Sequence, residues 1–253
     1  MAVPTLAVLT AAGSGTRLGM DVPKALVELD GLPLVVHAAR RLCSSGVVDA
    51  IVVTAPPDLV DHVGAMLRDD PGVDRPVRAV AGSGTRQASV AAGLRAGLAG
   101  ADAAPGSGPV DVVLVHDAAR PLAPPSLVRR VVEAVRAGHA AVVPGLPVTD
   151  TVKRVDPTDP DDPVGAERVT GTVDRSVLRA VQTPQGFDRA LLERAHAVAE
   201  HRAGDEAVAA TDDAGLVEDL GHDVHVVPGD PAAVKITTRH DLRVAELTLQ
   251  ESR

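Results

Sequence analysis

Short runs of small aliphatic residues alternate along the chain with stretches whose apolar positions recur at helical spacing. Thr5 to Thr10 reads as a buried strand leading into a glycine-rich loop. Leu32 to Leu42 predicts a helix with Pro33 in its first turn, where a missing N–H costs nothing. Ile51 to Thr54 is the next strand, followed by a helix from Pro57 to about Arg68. Val77 to Ala81 and Gln87 to Leu98 repeat the pair, as do Val110 to Val115, ending at His116-Asp117, and the helix Ser126 to Ala137. Ala140 to Val143 closes the series. This alternation predicts an α/β fold: a Rossmann-like, mainly parallel sheet with helices on both faces.

The pattern changes after Pro144. Residues 147–186 hold two β-prone segments, Thr149 to Val155 and Glu167 to Val173, around a Pro/Asp-rich turn at 156–163. They predict a projecting β-hairpin arm, a subdomain of one domain spanning 1–253. Helices resume at Arg189 to Arg202, Asp212 to Leu220 and Arg239 to Leu249, with a late strand at Val224 to Val227.

Composition narrows the class. Hydrophobic residues make up 45% of 253, enough for a sizeable core, and Phe187 is the only aromatic, so that core is aliphatic. No run approaches the roughly 20 apolar residues of a membrane helix, and the N-terminus lacks the basic flank of a signal peptide. A single cysteine, Cys43, makes neither an internal disulfide nor a zinc site by itself. These features predict a cytoplasmic enzyme that does not engage membranes. A net charge of −9 argues against nucleic acid as partner. Of 25 basic residues only Lys24, Lys153 and Lys235 are lysine, the compact point charge rather than the planar fork.

The first strand runs into Ala11-Ala12-Gly13-Ser14-Gly15-Thr16-Arg17-Leu18-Gly19, with Pro23-Lys24 shortly after. Glycines let a backbone approach a ligand and turn successive N–H groups onto one anion. The dinucleotide fingerprint fails here because its third glycine, Gly19, comes one residue late, and Walker A fails for lack of Gly-Lys-Ser/Thr. Arg17 and Lys24 bracket a loop expected at the carboxyl end of the first strand, where open α/β sheets bind ligands. A Gly-rich turn with two solvated cations is the plain alternative.

This opening resembles the signature of nucleotidyltransferases that activate sugars and alditol phosphates. Four further segments carry the likeness: Gly82-Ser83-Gly84-Thr85-Arg86-Gln87-Ala88-Ser89-Val90, His116-Asp117-Ala118-Ala119-Arg120-Pro121, Thr149-Asp150-Thr151-Val152-Lys153 with Thr172-Val173-Asp174-Arg175, and Gln182-Thr183-Pro184-Gln185. Together the chain resembles the 2-C-methyl-D-erythritol 4-phosphate cytidylyltransferase family, with ribitol-5-phosphate cytidylyltransferases as the near alternative and a non-catalytic nucleotide-binding regulator as the distant one. The likeness implies a nucleotide-diphospho-sugar transferase-like fold and a homodimer formed through the arm. It also implies the two substrates, CTP and an alditol phosphate, and Mg²⁺ bound with CTP.

By that resemblance Arg17, Lys24, Arg175 and Lys235 are the catalytic cations. Ala11, Ala12, Gly13, Gly15, Gly82, Ser83, Arg86, Ser89 and Ala118 would bind CTP. Asp117, Arg120, Thr151, Arg175 and Lys235 would hold the second substrate, with Thr151 and Arg175 reaching across the dimer. Asp117, at a strand end, would meet either the metal or substrate hydroxyls; capping a helix or pairing with Arg120 is the structural alternative. Lys235 is placed at a strand end among Val and Ile, and His116 as a packed residue rather than a ligand. Thr211-Asp212-Asp213 reads mainly as a helix cap. One departure is Thr16, where family members often carry a second basic residue.

Overall fold

A computed structural model of the chain describes residues 4–13, 22–102, 110–158, 162, 164–206 and 208–251. β1 (Thr5–Thr10) is flanked by parallel partners on both sides. A short hairpin follows, β2 (Glu28–Leu29) and β3 (Leu32–Pro33), then α1 (Leu34–Ser44), β4 (Ala50–Ala55), α2 (Val60–Arg68) and β5 (Val77–Ala81). Next come α3 (Arg86–Asp102), β6 (Val112–Asp117), α4 (Pro125–Arg136) and β7 (Ala141–Pro147). A second hairpin, β8 (Lys153–Val155) and β9 (Val169–Thr172), precedes β10 (Arg179–Val181) and β11 (Gln185–Asp188). The chain closes with α5 (Arg189–Val198), α6 (Asp213–Asp219), β12 (His225–Pro228) and α7 (Arg239–Glu251).

The main sheet has eight strands, running β5-β4-β1-β6-β11-β7, with β10 and β12 also paired to β7. Side chains alternate across it, as a pleated strand requires. Ala7, Leu9, Ile51 and Val53 face α1, α2 and α4, whereas Leu6, Val8, Val113 and Phe187 face α3, α5 and α6. The two apolar layers are the core, and each fully buried Leu or Val contributes about 1.5–3 kcal/mol relative to exposure. On α3, a Cβ at Gly97 would stand 2.6 Å from Leu6 Cδ2, so the bare glycine is what lets this helix lie close on β1 and β4.

The parallel α/β core predicted from the alternation is present, and its departures are local. Pro33 ends β3 in extended geometry (φ −57°, ψ 145°) and precedes α1 instead of sitting in its first turn. The helix expected from Pro57 is split, a 3₁₀ turn at Pro57–Leu59 giving way to α2 at Val60. The projecting hairpin is shorter than 147–186, because 179–181 and 185–188 rejoin the main sheet antiparallel to β7. Along that edge the five steps from Val181 to Gly186 stand against three from Gly145 to Val142, so the two extra residues are taken up around Thr183-Pro184, while Gln182 N still donates to Pro144 O at 2.8 Å and Gln185 pairs with Val115. Lys235 sits not at a strand end but on an irregular segment after a 3₁₀ turn at Pro231–Ala233. A separate apolar cluster of Leu29, Leu34, Leu122, Ile236, Leu242 and Ala245 docks α7 and that segment onto the body.

Candidate active site

Four parallel strands end at one edge of the sheet, and the loops leaving them are tied together there. Ala11 donates its backbone N–H to Thr54 O at 2.8 Å, Ala118 to Thr10 O at 3.0 Å and Gly82 to Ala55 O at 2.8 Å. Over this edge lies a cleft of about 590 Å³, within the size range of small-ligand sites. Its walls include Ala11, Ala12, Gly13, Lys24, Ser83, Arg86, Ser89, Asp117, Ala118 and Lys235, all singled out from the sequence. Gly82 lies beneath them: a Cβ there would fall 2.3 Å from Ala12 Cβ, so only glycine lets the two loops meet. Arg17 and Gly15 lie outside the described residues.

Asp117 is the centre of the charge pattern. It ends β6 almost wholly buried, paired with Thr10 across β1. Its Oδ1 accepts from Thr10 Oγ1 at 3.2 Å and Arg86 Nε at 3.3 Å, and its Oδ2 from Lys235 Nζ at 2.7 Å. Burial alone would raise this carboxyl, but Arg86, Lys235 and Arg120 outweigh it and hold the group well below the usual carboxylate range. Asp117 is therefore ionised, an acceptor of hydrogen bonds or a ligand to a cation. Next to it, burial lowers His116 to about 4, so this imidazole is neutral; its Nδ1 lies 2.9 Å from Thr183 Oγ1. That agrees with a packed residue.

Arg86 opens α3 and reaches back over the cleft floor. Its Nη1 lies 2.7 Å from Asp213 Oδ2, so it bridges two carboxylates. Burial would lower this guanidinium, yet Asp213 and Asp117 more than compensate and raise it further. Ser89 shapes the same loop: its hydroxyl donates to Thr85 O at 2.8 Å and accepts from Ser83 N at 2.9 Å. Lys24 stands on a 3₁₀ turn, Lys24–Leu26, at the opposite wall.

Not every candidate converges. Arg120 turns beneath the cleft, donating from Nη1 to Ala233 O at 2.7 Å and from Nη2 to Val181 O at 3.2 Å. It thereby supports the Lys235 segment, which Ile236 N also ties to Ala119 O at 2.8 Å. Thr151 and Arg175 are exposed outside the cleft, and Arg175 donates to Thr149 O on its own arm. Among the described residues no group of three or more His, Cys, Asp or Glu forms a cation cage.

Other contributors were given no site role from the sequence. Asp212 is the helix cap, accepting from Gly215 N at 3.0 Å, but its neighbour Asp213 turns inward to Arg86. Gln182 clamps the Asp230 backbone through both ends of its amide, and Gln185 accepts from Asp213 N at 3.2 Å while donating to Asp212 Oδ2 at 2.7 Å. These contacts give partners to the two glutamines that flank the Thr183-Pro184 irregularity. Glu206 adds a second carboxylate to the cleft lining.

A cleft at the carboxyl edge of a parallel sheet, with three cations around one ionised carboxylate, defines an α/β protein built to hold a phosphorylated ligand. Comparison with known proteins sharpens the class to nucleotidyltransferases. The family model described as 2-C-methyl-D-erythritol 4-phosphate cytidylyltransferase (IspD) matches residues 5–251. A Rhodococcus jostii protein of that name is 50% identical over 248 residues, 98% of this chain and 96% of the relative. The Anaerococcus prevotii 4-diphosphocytidyl-2C-methyl-D-erythritol synthase superposes with a TM-score of 0.76 at 30% identity, covering 99% of this chain and 100% of that one. The Thermus thermophilus 2-C-methyl-D-erythritol 4-phosphate cytidylyltransferase gives 0.71 at 34% identity, with 99% and 100% covered. The chain belongs to the 2-C-methyl-D-erythritol 4-phosphate cytidylyltransferase family.

Proposed function

We propose that the enzyme joins CMP from CTP to 2-C-methyl-D-erythritol 4-phosphate, releasing pyrophosphate and forming 4-diphosphocytidyl-2-C-methyl-D-erythritol for isoprenoid precursor synthesis by the non-mevalonate route. The observation that carries this reading is one cleft, in a chain from this family, lined by Lys24, Arg86, Asp117 and Lys235, with Arg86 and Lys235 both bonded to Asp117. The acceptor phosphate is largely dianionic at pH 7, so its oxygen needs no general base. That oxygen attacks the α-phosphorus of CTP; the new P–O bond forms as the bond to the β-phosphate bridging oxygen breaks, and the electron pair leaves with pyrophosphate.

The barrier is electrostatic, because two anions must meet and charge builds on the transferring group. Lys24 and Arg17 would stabilise the α-phosphate and the leaving pyrophosphate, and the backbone of Ala12 to Gly15 would cradle the outer phosphates. The Gly82–Ser89 loop would take the cytosine, with Arg86 and Ser89 beside it. Lys235 would exchange its Asp117 partner for the acceptor phosphate, which its partly exposed side chain permits. Mg²⁺ commonly binds through one or two carboxylates plus substrate phosphates, and the ionised Asp117 fits that role. Bound there, the ion would neutralise phosphate charge.

Arg120 would support the acceptor site, and Thr151 and Arg175 would complete it from the partner subunit, so a homodimer through the hairpin belongs to this reading. A cytoplasmic location does too; among the described residues no helix is long and apolar enough to cross a membrane. The test is pyrophosphate release from CTP and Mg²⁺ with methylerythritol phosphate or with ribitol 5-phosphate. Turnover with the former, falling about 100-fold or more in Lys24→Ala by analogy with a lost oxyanion donor, is the expected result. Preference for ribitol 5-phosphate would overturn the acceptor assignment while leaving the chemistry in place.

A further inference from the structure

Behind the cleft wall, outside its lining, lie two buried polar side chains that the reaction does not use directly. Asp213 is 1% exposed and His196 is 6% exposed. Asp213 spends one oxygen on Arg86 Nη1 at 2.7 Å and the other on His196 Nε2 at 2.9 Å. Since Asp213 lies below the usual carboxylate range, its charge more than offset by Arg86 and His196 against burial, it carries no proton to donate. The hydrogen between them is on His196 Nε2. A chain of contacts thus runs from α5 through His196, Asp213, Arg86 and Asp117 to Lys235 at the cleft surface.

We propose that Asp213 and His196 are positioning residues that hold Arg86 between two carboxylates and so keep one oxygen of Asp117 for Lys235. The distances support this division. Arg86 is nearer to Asp213 (2.7 Å) than to Asp117 (3.3 Å), so Asp213 is its principal anchor. A guanidinium deprived of that anchor is free to close its planar fork on both oxygens of the remaining carboxylate. Here that carboxylate is Asp117, whose Oδ2 is held by Lys235 at 2.7 Å. Arg86 would then displace Lys235 and vacate the place it occupies along the cleft. His196 steadies the same anchor from the other side, because without its N–H the Asp213 carboxylate plane could turn away from Arg86 Nη1. The Asp213 backbone is itself fixed by Gln185, so the anchor is set from two sides.

The role rests on the cytidylyltransferase reading for its kinetic consequence, but CTP affinity measured by calorimetry tests the linkage without turnover. The experiment is a double-mutant cycle on the full chain with Asp213→Asn and Arg86→Lys, measuring kcat, KM for each substrate and CTP affinity with Mg²⁺. In the wild-type background Asp213→Asn should lower kcat/KM by roughly 10- to 100-fold, the range for a lost charged hydrogen bond. In the Arg86→Lys background the same change should cost less than about threefold, since contacting residues that act as a unit are not additive. A folded Asp213→Asn enzyme with unaltered kcat/KM and CTP affinity, or an equal loss in both backgrounds, overturns the proposal. Should Asp213→Asn fail to fold, His196→Leu and His196→Gln decide the matter. Leu should lower kcat/KM and Gln, which keeps an N–H donor, should restore it; equal losses in both would reduce His196 to packing and overturn its role. A wild-type enzyme that binds CTP yet releases no pyrophosphate would instead sink the reaction assignment.

Discussion

The cleft and the β8–β9 hairpin hold residues of similar chemistry in opposite circumstances. In the cleft Arg86 and Asp117, and behind its wall Asp213, are largely buried, and each is held by side chains from elements far apart in sequence. On and beside the hairpin, Lys153, Thr151 and Arg175 are exposed, and their bonds stay local: Lys153 Nζ to Thr172 Oγ1 at 2.6 Å, and Arg175 to Thr149 O. Valines point the same way, with Val155 40% and Val169 53% exposed on a two-stranded ladder. Two strands alone are marginal in water. The difference teaches that a charged residue becomes a preorganised site only where the fold surrounds it; elsewhere the same residue types remain solvated surface.

The sharpest way to break this comparison is Asp117→Asn. It removes the anion shared by Arg86 and Lys235, and activity should fall by at least about 100-fold, as for other lost electrostatic groups in active sites. Stability should fall as well, by an amount approaching the roughly 3–5 kcal/mol seen when one partner of a buried pair is removed. Urea unfolding alongside pyrophosphate release checks both; a stable, active variant would mean the cleft is no more organised than the hairpin. Arg175→Ala should do the reverse. Melting temperature and CTP affinity should stay at wild-type values, while KM for the acceptor rises about tenfold, the order of one charged contact. Mixing Arg175→Ala with Lys24→Ala subunits should then restore turnover if the hairpin completes a neighbour's site, and no recovery would confine each site to one chain.

A further test concerns acid stability. His116 is neutral in the fold, its value lowered by burial to about 4, whereas an unfolded histidine titrates near 6.5. As pH falls between those values the unfolded chain takes up a proton that the folded one refuses, so stability declines with acidification. The full effect is on the order of 3 kcal/mol. His37 adds to the same limb, being lowered mainly by burial. Asp117 and Asp213 act later, since depressed carboxylates withdraw their stabilisation only once pH drops below about 4. Urea melts at pH 7.5 and 5 should show a smaller difference for His116→Gln than for the wild type. An unchanged difference would place the limb on other groups.

The sequence determined the α/β alternation, because apolar residues at strand and helix periods can be buried only on matching faces. Most of the strands and helices fell where the pattern put them. It also marked the cleft, since Gly-rich loops with nearby Lys24, Arg86 and Asp117 stand at the ends of predicted strands. What escaped it was decided by contacts between distant residues. Asp213 reads as half of a helix cap until α6 is laid against α3 and its carboxylate meets Arg86, 127 positions away. Arg120 reads as one of the residues holding the second substrate, and only the fold shows the carbonyls of Val181 and Ala233 converging on it. The 179–186 stretch reads as arm until β7 offers it an antiparallel edge. A residue's type limits which partners it can take, but the partner it takes is set by which groups tertiary packing brings within hydrogen-bonding reach and removes from water.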